Sequence, residues 1–169
     1  MTELMDSMKS RPDDMASHYN LGNFHMTRGQ MPEAVAEFET ATRLQPEALP
    51  PYVNAALAYN ALGQNDKAEA SLRRALRLDP TNAPAQLNLG MLLAEMGKMS
   101  GAEQAFRAAF KANPQSAQAA YNLGVLLSKD HPGEALDWCR RAAALGPDNP
   151  QYGYTHAFYL HGAGRFDEA

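Results

Sequence analysis

Four asparagines stand at an even interval: Asn20, Asn54, Asn88 and Asn122, each 34 residues after the last. A carboxamide offers both donor hydrogens and an acceptor oxygen, the groups that a peptide bond also presents. Carboxamides repeated on successive helices could hold an extended backbone without reading its sequence. The same residues admit a second role, as supports of their own helix pairs, and spacing alone does not separate the two. Other chemistry-bearing side chains are sparse. His18 and His25 lie seven apart on one helical face, at positions that pack, and read as core histidines. His156 and His161 are five apart, which does not suit two ligands on one helix face. The single cysteine, Cys139, excludes an internal disulfide, a Cys-pair zinc site and haem attachment through Cys-x-x-Cys-His. No adjacent histidine base activates it, and no glycine-rich loop follows a strand to cradle phosphate. No enzyme, metal or cofactor is therefore expected within these residues.

The elements that position the asparagines follow from the period. Asn20-Leu21-Gly22 returns as Asn88-Leu89-Gly90 and Asn122-Leu123-Gly124, with Asn54-Ala55-Ala56 between. A fixed period of this length sets the architecture before any local reading. Counting the signature Leu-Gly as positions 7 and 8 gives repeats at 15–48, 49–82, 83–116 and 117–149, then a partial fifth at 150–169. Residues 1–14 fit as the end of a preceding repeat, with Pro12 in the register of Pro46, Pro80, Pro114 and Pro147. The chain thus opens and closes inside repeats, as a piece of a longer protein would. Apolar residues at positions 4, 7 and 11 have helical spacing, as in Tyr52, Ala55 and Tyr59. Position 8 is small throughout (Gly22, Ala56, Gly90, Gly124, Ala157), although glycine inside a helix costs about 1 kcal/mol against alanine. A close helix crossing explains it. Small residues recur at position 20 (Ala34, Ala68, Ala102, Ala135, Ala169) and position 27 (Ala41, Ala75, Ala109, Ala142). Bulk comes at position 24 from Phe38, Leu72 and Phe106, with Cys139 as the exception. Glycine at position 15 (Gly29, Gly63, Gly97, Gly164) ends the first helix, and the proline at position 32 stops the second. Helices are predicted near 15–28, 32–45, 49–62, 66–79, 83–96, 100–113, 117–129, 133–146 and 150–163. Repeat four replaces its glycine turn with Lys129-Asp130-His131-Pro132-Gly133 and is one residue short, so its turn should differ. Trp138 beside the small Cys139 is expected to fill part of the space that the cysteine leaves.

Small residues at 8, 20 and 27, bulky ones at 4, 11 and 24, and proline at 32 together resemble the tetratricopeptide repeat (TPR). The resemblance covers nearly the whole chain. It implies an all-α fold, a right-handed α-solenoid of antiparallel helix pairs (the TPR superhelix), with the first helices lining a concave face. The row of asparagines is similar to the asparagine ladder of the O-linked N-acetylglucosamine transferase TPR superhelix. The runs Ser17–Phe24, Trp138–Ala142 and Gln151–Tyr159 resemble TPR tails that follow bacterial multihaem cytochrome c domains. That second resemblance implies the tail of a larger periplasmic redox protein, mediating assembly or docking, with any haem held upstream.

The rest of the inner face is apolar. Position 5 reads Tyr19, Val53, Leu87, Tyr121 and Tyr154, and position 9 reads Asn23, Leu57, Met91, Val125 and Phe158. Apolar side chains in a concavity suggest a groove for a peptide or helix. The alternative is that positions 5 and 9 pack against the next repeat. The expected function is a non-catalytic protein–protein interaction scaffold, binding a peptide or protein segment through Asn20, Asn54, Asn88, Asn122, Tyr19, Asn23, Val53, Leu57, Leu87, Met91, Tyr121 and Val125. The groove amides are expected to point to solvent. The chaperone-tail clamp of some TPR domains is rejected: Tyr19, Pro84 and Asn88 stand where its cations should be, and a C-terminal carboxylate pair would find no strong partner. Arg73, Arg77, Arg107, Lys111 and Arg140 recur on second helices, where the helix dipole favours cations near C-termini, and read as a solvated face. With a net charge of −4 neither nucleic acid nor a membrane is an expected partner. Met1–Ser10 holds no apolar run of signal-peptide length, and no 18-residue apolar stretch occurs anywhere. Tyr154, Phe158 and Phe166 have little to cover them, so self-association through the C-terminal end is a further expectation.

Overall fold

The computed structural model describes residues 14–164, so Pro12, Phe166 and Ala169 lie outside the described residues. Every regular element among them is an α-helix, and the chain divides into two compact units, Met1–Pro80 and Thr81–Ala169.

Unit 1 contains α1 (Met15–Thr27), α2 (Met31–Leu44), α3 (Leu49–Ala61) and α4 (Asn65–Leu78). Unit 2 contains α5 (Ala83–Glu95), α6 (Met99–Ala112), α7 (Ala117–Leu127), α8 (Pro132–Leu145) and α9 (Pro150–Gly162). All bounds fall within two residues of the sequence expectation. Inside each unit a helix packs on the one before it and the one after it, giving helix hairpins joined in a stack.

The ends of the helices have local causes. Asp14, Asn82, Ser116 and Asn149 cap α1, α5, α7 and α9 by accepting a backbone N–H of the first turn. Proline occupies the first turn of α2, α3, α5, α8 and α9, where its missing N–H has no helical partner to lose. At the end of α3, Gly63 has φ of +70°, and its N–H reaches Asn60 O at 2.8 Å. The following Gln64 N–H reaches Tyr59 O at 2.9 Å, so the paired bonds use carbonyls that the helix end would orphan. Gly29, Gly97 and Gly164 share the positive φ. The repeat-four turn differs: no residue there has positive φ, α7 is 11 residues long, and His131 N–H closes on Leu127 O at 2.8 Å.

The core sits between the helices of each hairpin. Ala34, Ala68, Ala102 and Ala135 are buried at position 20, as are Ala41, Ala75, Ala109 and Ala142 at position 27. A Cβ built on Gly22 would lie 2.5 Å from the Phe38 ring, and one on Gly90 would collide with the Phe106 ring. Glycine at position 8 is therefore the space that the aromatic at position 24 fills; repeat two solves the same crossing with Ala56 and Leu72, both buried. In repeat four a Cβ on Gly124 would meet not only Cys139 Sγ but Ala135 O at 3.1 Å and Cys139 N at 3.2 Å. Here the backbones of α7 and α8 close the gap themselves. The expectation that Trp138 fills it is corrected: the indole stacks edge-on to Phe110 with ring centres 4.9 Å apart, and Arg141 lies 4.7 Å over its ring.

Candidate functional site

The first helices place positions 5, 6 and 9 on one register, because residues three and four apart share a helix face. In unit 1 this register belongs to α1 and α3. Asn54 of α3 donates from Nδ2 to Tyr19 Oη at 3.2 Å and to Asn23 Oδ1 at 2.6 Å, both on α1. Its two donor hydrogens are thus used inside the protein. The expectation that groove amides point to solvent is corrected here: the partly buried Asn54 ties two repeats together. Tyr19 also lies against the Phe38 ring, with centres 6.0 Å apart. Val53 is buried, so packing claims it and a ligand could not reach it. Leu57 is 40% exposed and Asn20 is exposed.

In unit 2 the register belongs to α5, α7 and α9. Met91 and Val125 are 36% and 42% exposed at position 9, and Phe158 and Tyr154 on α9 reach 61% and 73%. Leu87 and Asn88 are half-buried. Tyr121 packs its ring 5.1 Å from that of Tyr152 and accepts from Gln151 Nε2 at 2.8 Å. Gln118 Nε2 lies 3.8 Å from the Met91 sulfur. Asn122 is half-buried, and its Nδ2 is covered from solvent, again not the solvent-facing amide expected. The position-5 and position-9 residues of repeat one, Tyr19 and Asn23, were the sequence signal for the unit 1 network; the oxygen each carries singles that repeat out.

The remaining candidates have structural roles. His18 Nδ1–H donates to Glu37 Oε2 at 2.6 Å, and His25 Nδ1–H to Gln30 Oε1 at 2.9 Å. Both rings are half-buried, not core. Cys139 is fully buried, and burial pushes its thiol pKa up to about 11. A thiol so held is a poor nucleophile. Tyr59 donates its hydroxyl to Glu39; burial first, then that carboxylate, hold its pKa well above the usual phenol range. The second-helix cations largely have carboxylate partners: Arg73 with Glu69 at 2.8 Å, Arg140 with Asp137 at 3.2 Å, and Arg107 with both Glu103 and Glu134 at 2.8 Å. That is a solvated, charge-balanced face. Among the described residues no group of three His, Cys, Asp or Glu could hold a metal ion, and no helix is long and apolar enough to cross a membrane.

Comparison with known proteins adds the family. A family model described as "Tetratricopeptide repeat" matches residues 7–48 and 87–150, and one described as "TPR repeat" matches residues 56–97. No curated protein matches. Among solved structures, MamA from Desulfovibrio magneticus is 20% identical with a TM-score of 0.80, over 92% of this chain and 89% of that one. PilF of Pseudomonas aeruginosa is 22% identical with a TM-score of 0.81, over 91% of this chain and 71% of that one. A thermophilic TPR protein of Thermus thermophilus is 24% identical with a TM-score of 0.77, over 94% and 88%. At these identities the likeness is one of fold, the helix-pair solenoid. With repeat models matching more than half of its residues, the chain belongs to the tetratricopeptide repeat family.

Proposed function

We propose that this chain is a non-catalytic scaffold whose first-helix face in unit 2 holds a peptide segment of a partner protein. TPR proteins are in general protein-interaction scaffolds. One observation carries the finer reading. Of the seven large apolar side chains left exposed among the described residues, five fall on first helices at positions 5 or 9: Leu57, Met91, Val125, Tyr154 and Phe158. The last four belong to unit 2 and share one register on three successive first helices. Exposed apolar surface gathered this way is typical of interaction sites, whereas single scattered residues are not. The other two, Leu44 and Met99, are on second helices and serve as controls.

The reading is tested by selecting peptides by display against the full chain and titrating them calorimetrically. Val125→Asp and Met91→Asp are expected to weaken the selected peptide at least 10-fold, and Met99→Asp to leave it unchanged. Equal binding by all three variants, or loss confined to Met99→Asp, overturns the reading. Sedimentation of the chain alone tests a second copy as the occupant: a concentration-dependent dimer that Phe158→Ala dissolves would name it.

A further inference from the structure

We propose that Met91 is a reversible oxidation site, and that its sulfoxide oxygen closes a hydrogen-bond network which the thioether leaves open. Two methionines stand exposed among the described residues, Met91 at 36% on α5 and Met99 at 54% on α6. A thioether within reach of solvent is open to a peroxide. What the added oxygen would meet sets Met91 apart. Unit 1 shows the closed form of the network: Asn23 Oδ1 accepts from Asn54 Nδ2 at 2.6 Å, across 31 residues of chain. Met91 precedes Asn122 by the same 31 residues and holds the repeat position of Asn23. It has no oxygen to offer, and Asn122 Nδ2 is covered from solvent with no acceptor among the described residues. Such a donor lowers stability and is rare in native proteins. The Met91 sulfur already lies against α7, 3.8 Å from Gln118 Nε2. Asn122 is one turn beyond Gln118 on the same helix face.

Oxidation supplies the missing acceptor. A sulfur lone pair attacks one oxygen of hydrogen peroxide or an alkyl hydroperoxide. The O–O bond breaks, an S–O bond forms, and water or the alcohol leaves carrying the proton of the attacked oxygen. Sulfur loses two electrons and the peroxide gains them. The new oxygen stands one bond further from the backbone than that of asparagine, and the flexible methionine chain absorbs the difference. Oxidising a methionine ordinarily weakens a protein, because an apolar side chain becomes polar. Here it satisfies a buried donor instead. The same step takes an apolar thioether out of the first-helix register, and a methionine sulfoxide reductase restores it. The proposal does not depend on a peptide lying there.

The test uses the full chain before and after hydrogen peroxide, with peptide mass spectrometry to locate the added oxygen. Wild type is compared with Met91→Leu, so that the other methionines oxidise equally in both. The change in Tm on oxidation should be more favourable in wild type by about 2 °C or more, and the reductase should reverse it. Asn122→Leu, which lacks the donor, should lose that advantage while its Met91 still oxidises. In the nitrogen-15 spectrum of wild type, an Asn122 side-chain amide proton should move downfield on oxidation. A change in Tm no better in wild type than in Met91→Leu overturns the proposal, as does an Asn122 amide signal that stays in place. So does a Met91 that remains reduced while Met99 oxidises, or an Asn122→Leu chain that keeps the wild-type advantage.

Discussion

The crossing of α5 and α6 gives the sharpest quantitative expectation. Gly90→Ala adds one methyl group that would enter the Phe106 ring, with Cε1 at 2.5 Å and Cγ at 3.0 Å. Phe106 is 2% exposed, so its ring cannot swing into solvent. Overpacking of this kind costs about 1–3 kcal/mol. Against it, alanine in a helix gains about 1 kcal/mol over glycine. The net expectation is a loss of roughly 1 kcal/mol, about 2 from overpacking less about 1 from helix propensity. Phe106→Leu alone removes ring atoms and leaves a cavity, at roughly 1 kcal/mol or somewhat more. The double variant reproduces the Ala56–Leu72 pair that repeat two already uses, with both residues buried. Its methyl fills the space that the ring leaves, so the double loss should be smaller than the sum of the singles by about 1–2 kcal/mol, a coupling typical of residues in contact. Urea unfolding followed by helical circular dichroism measures all four corners of the cycle. Losses that add within about 0.5 kcal/mol, the range of uncoupled sites, would refute the account of position 8 as space made for position 24.

Three further outcomes follow from single sites. Cys139 has its pKa raised from 9.0 to about 11, so its stabilising share is complete below pH 9 and is lost as pH rises toward 11; Cys139→Ala should flatten that part of the stability–pH curve, and the native thiol should resist a disulfide reagent at pH 8 until the chain is unfolded. The Arg107 guanidinium, then the Trp138 indole N–H at 3.0 Å, hold the Glu134 carboxyl below its ordinary 4.5. Its contribution is present above that value and lost as pH falls through the lower folded one, so the fluorescence of the single tryptophan should change with a midpoint below pH 4.5, and Glu134→Gln should abolish the change. Gly97→Ala places a Cβ in open space at φ of +74°, so the backbone alone opposes it, at about 1–2 kcal/mol in denaturant unfolding.

Much of the fold was legible because each signal is local or strictly periodic. Gly29, Gly63 and Gly97 announce their turns, the prolines from Pro46 onward stop the second helices, and small residues at position 8 foretell Phe38 and Phe106 across the crossing. The division at Pro80 was not legible, since the 34-residue period runs through it unchanged. The roles of the asparagines were hidden for a different reason. Asn54 and Asn122 occupy the same position of the repeat, and what separates them is carried by partners 31 to 35 residues earlier: oxygens on Tyr19 and Asn23 in one case, Leu87 and Met91 in the other. Period finds the position, and only the neighbouring helix tells whether its amide is used. Likewise nothing in Trp138-Cys139 said that backbone approach at Gly124 would close the space the cysteine leaves.

The central claim is that the first-helix register of unit 2 is the surface a partner covers. Carbon-13 methyl spectra of the full chain, recorded as a display-selected peptide is added, read that surface directly, because Met91 and Val125 lie on it while Met99, 54% exposed, lies on a second helix. The account predicts saturable shifts at the Met91 and Val125 methyls with Met99 and Leu44 unmoved. Shifts at Met99 and Leu44, with Met91 and Val125 unmoved at saturation, would contradict it.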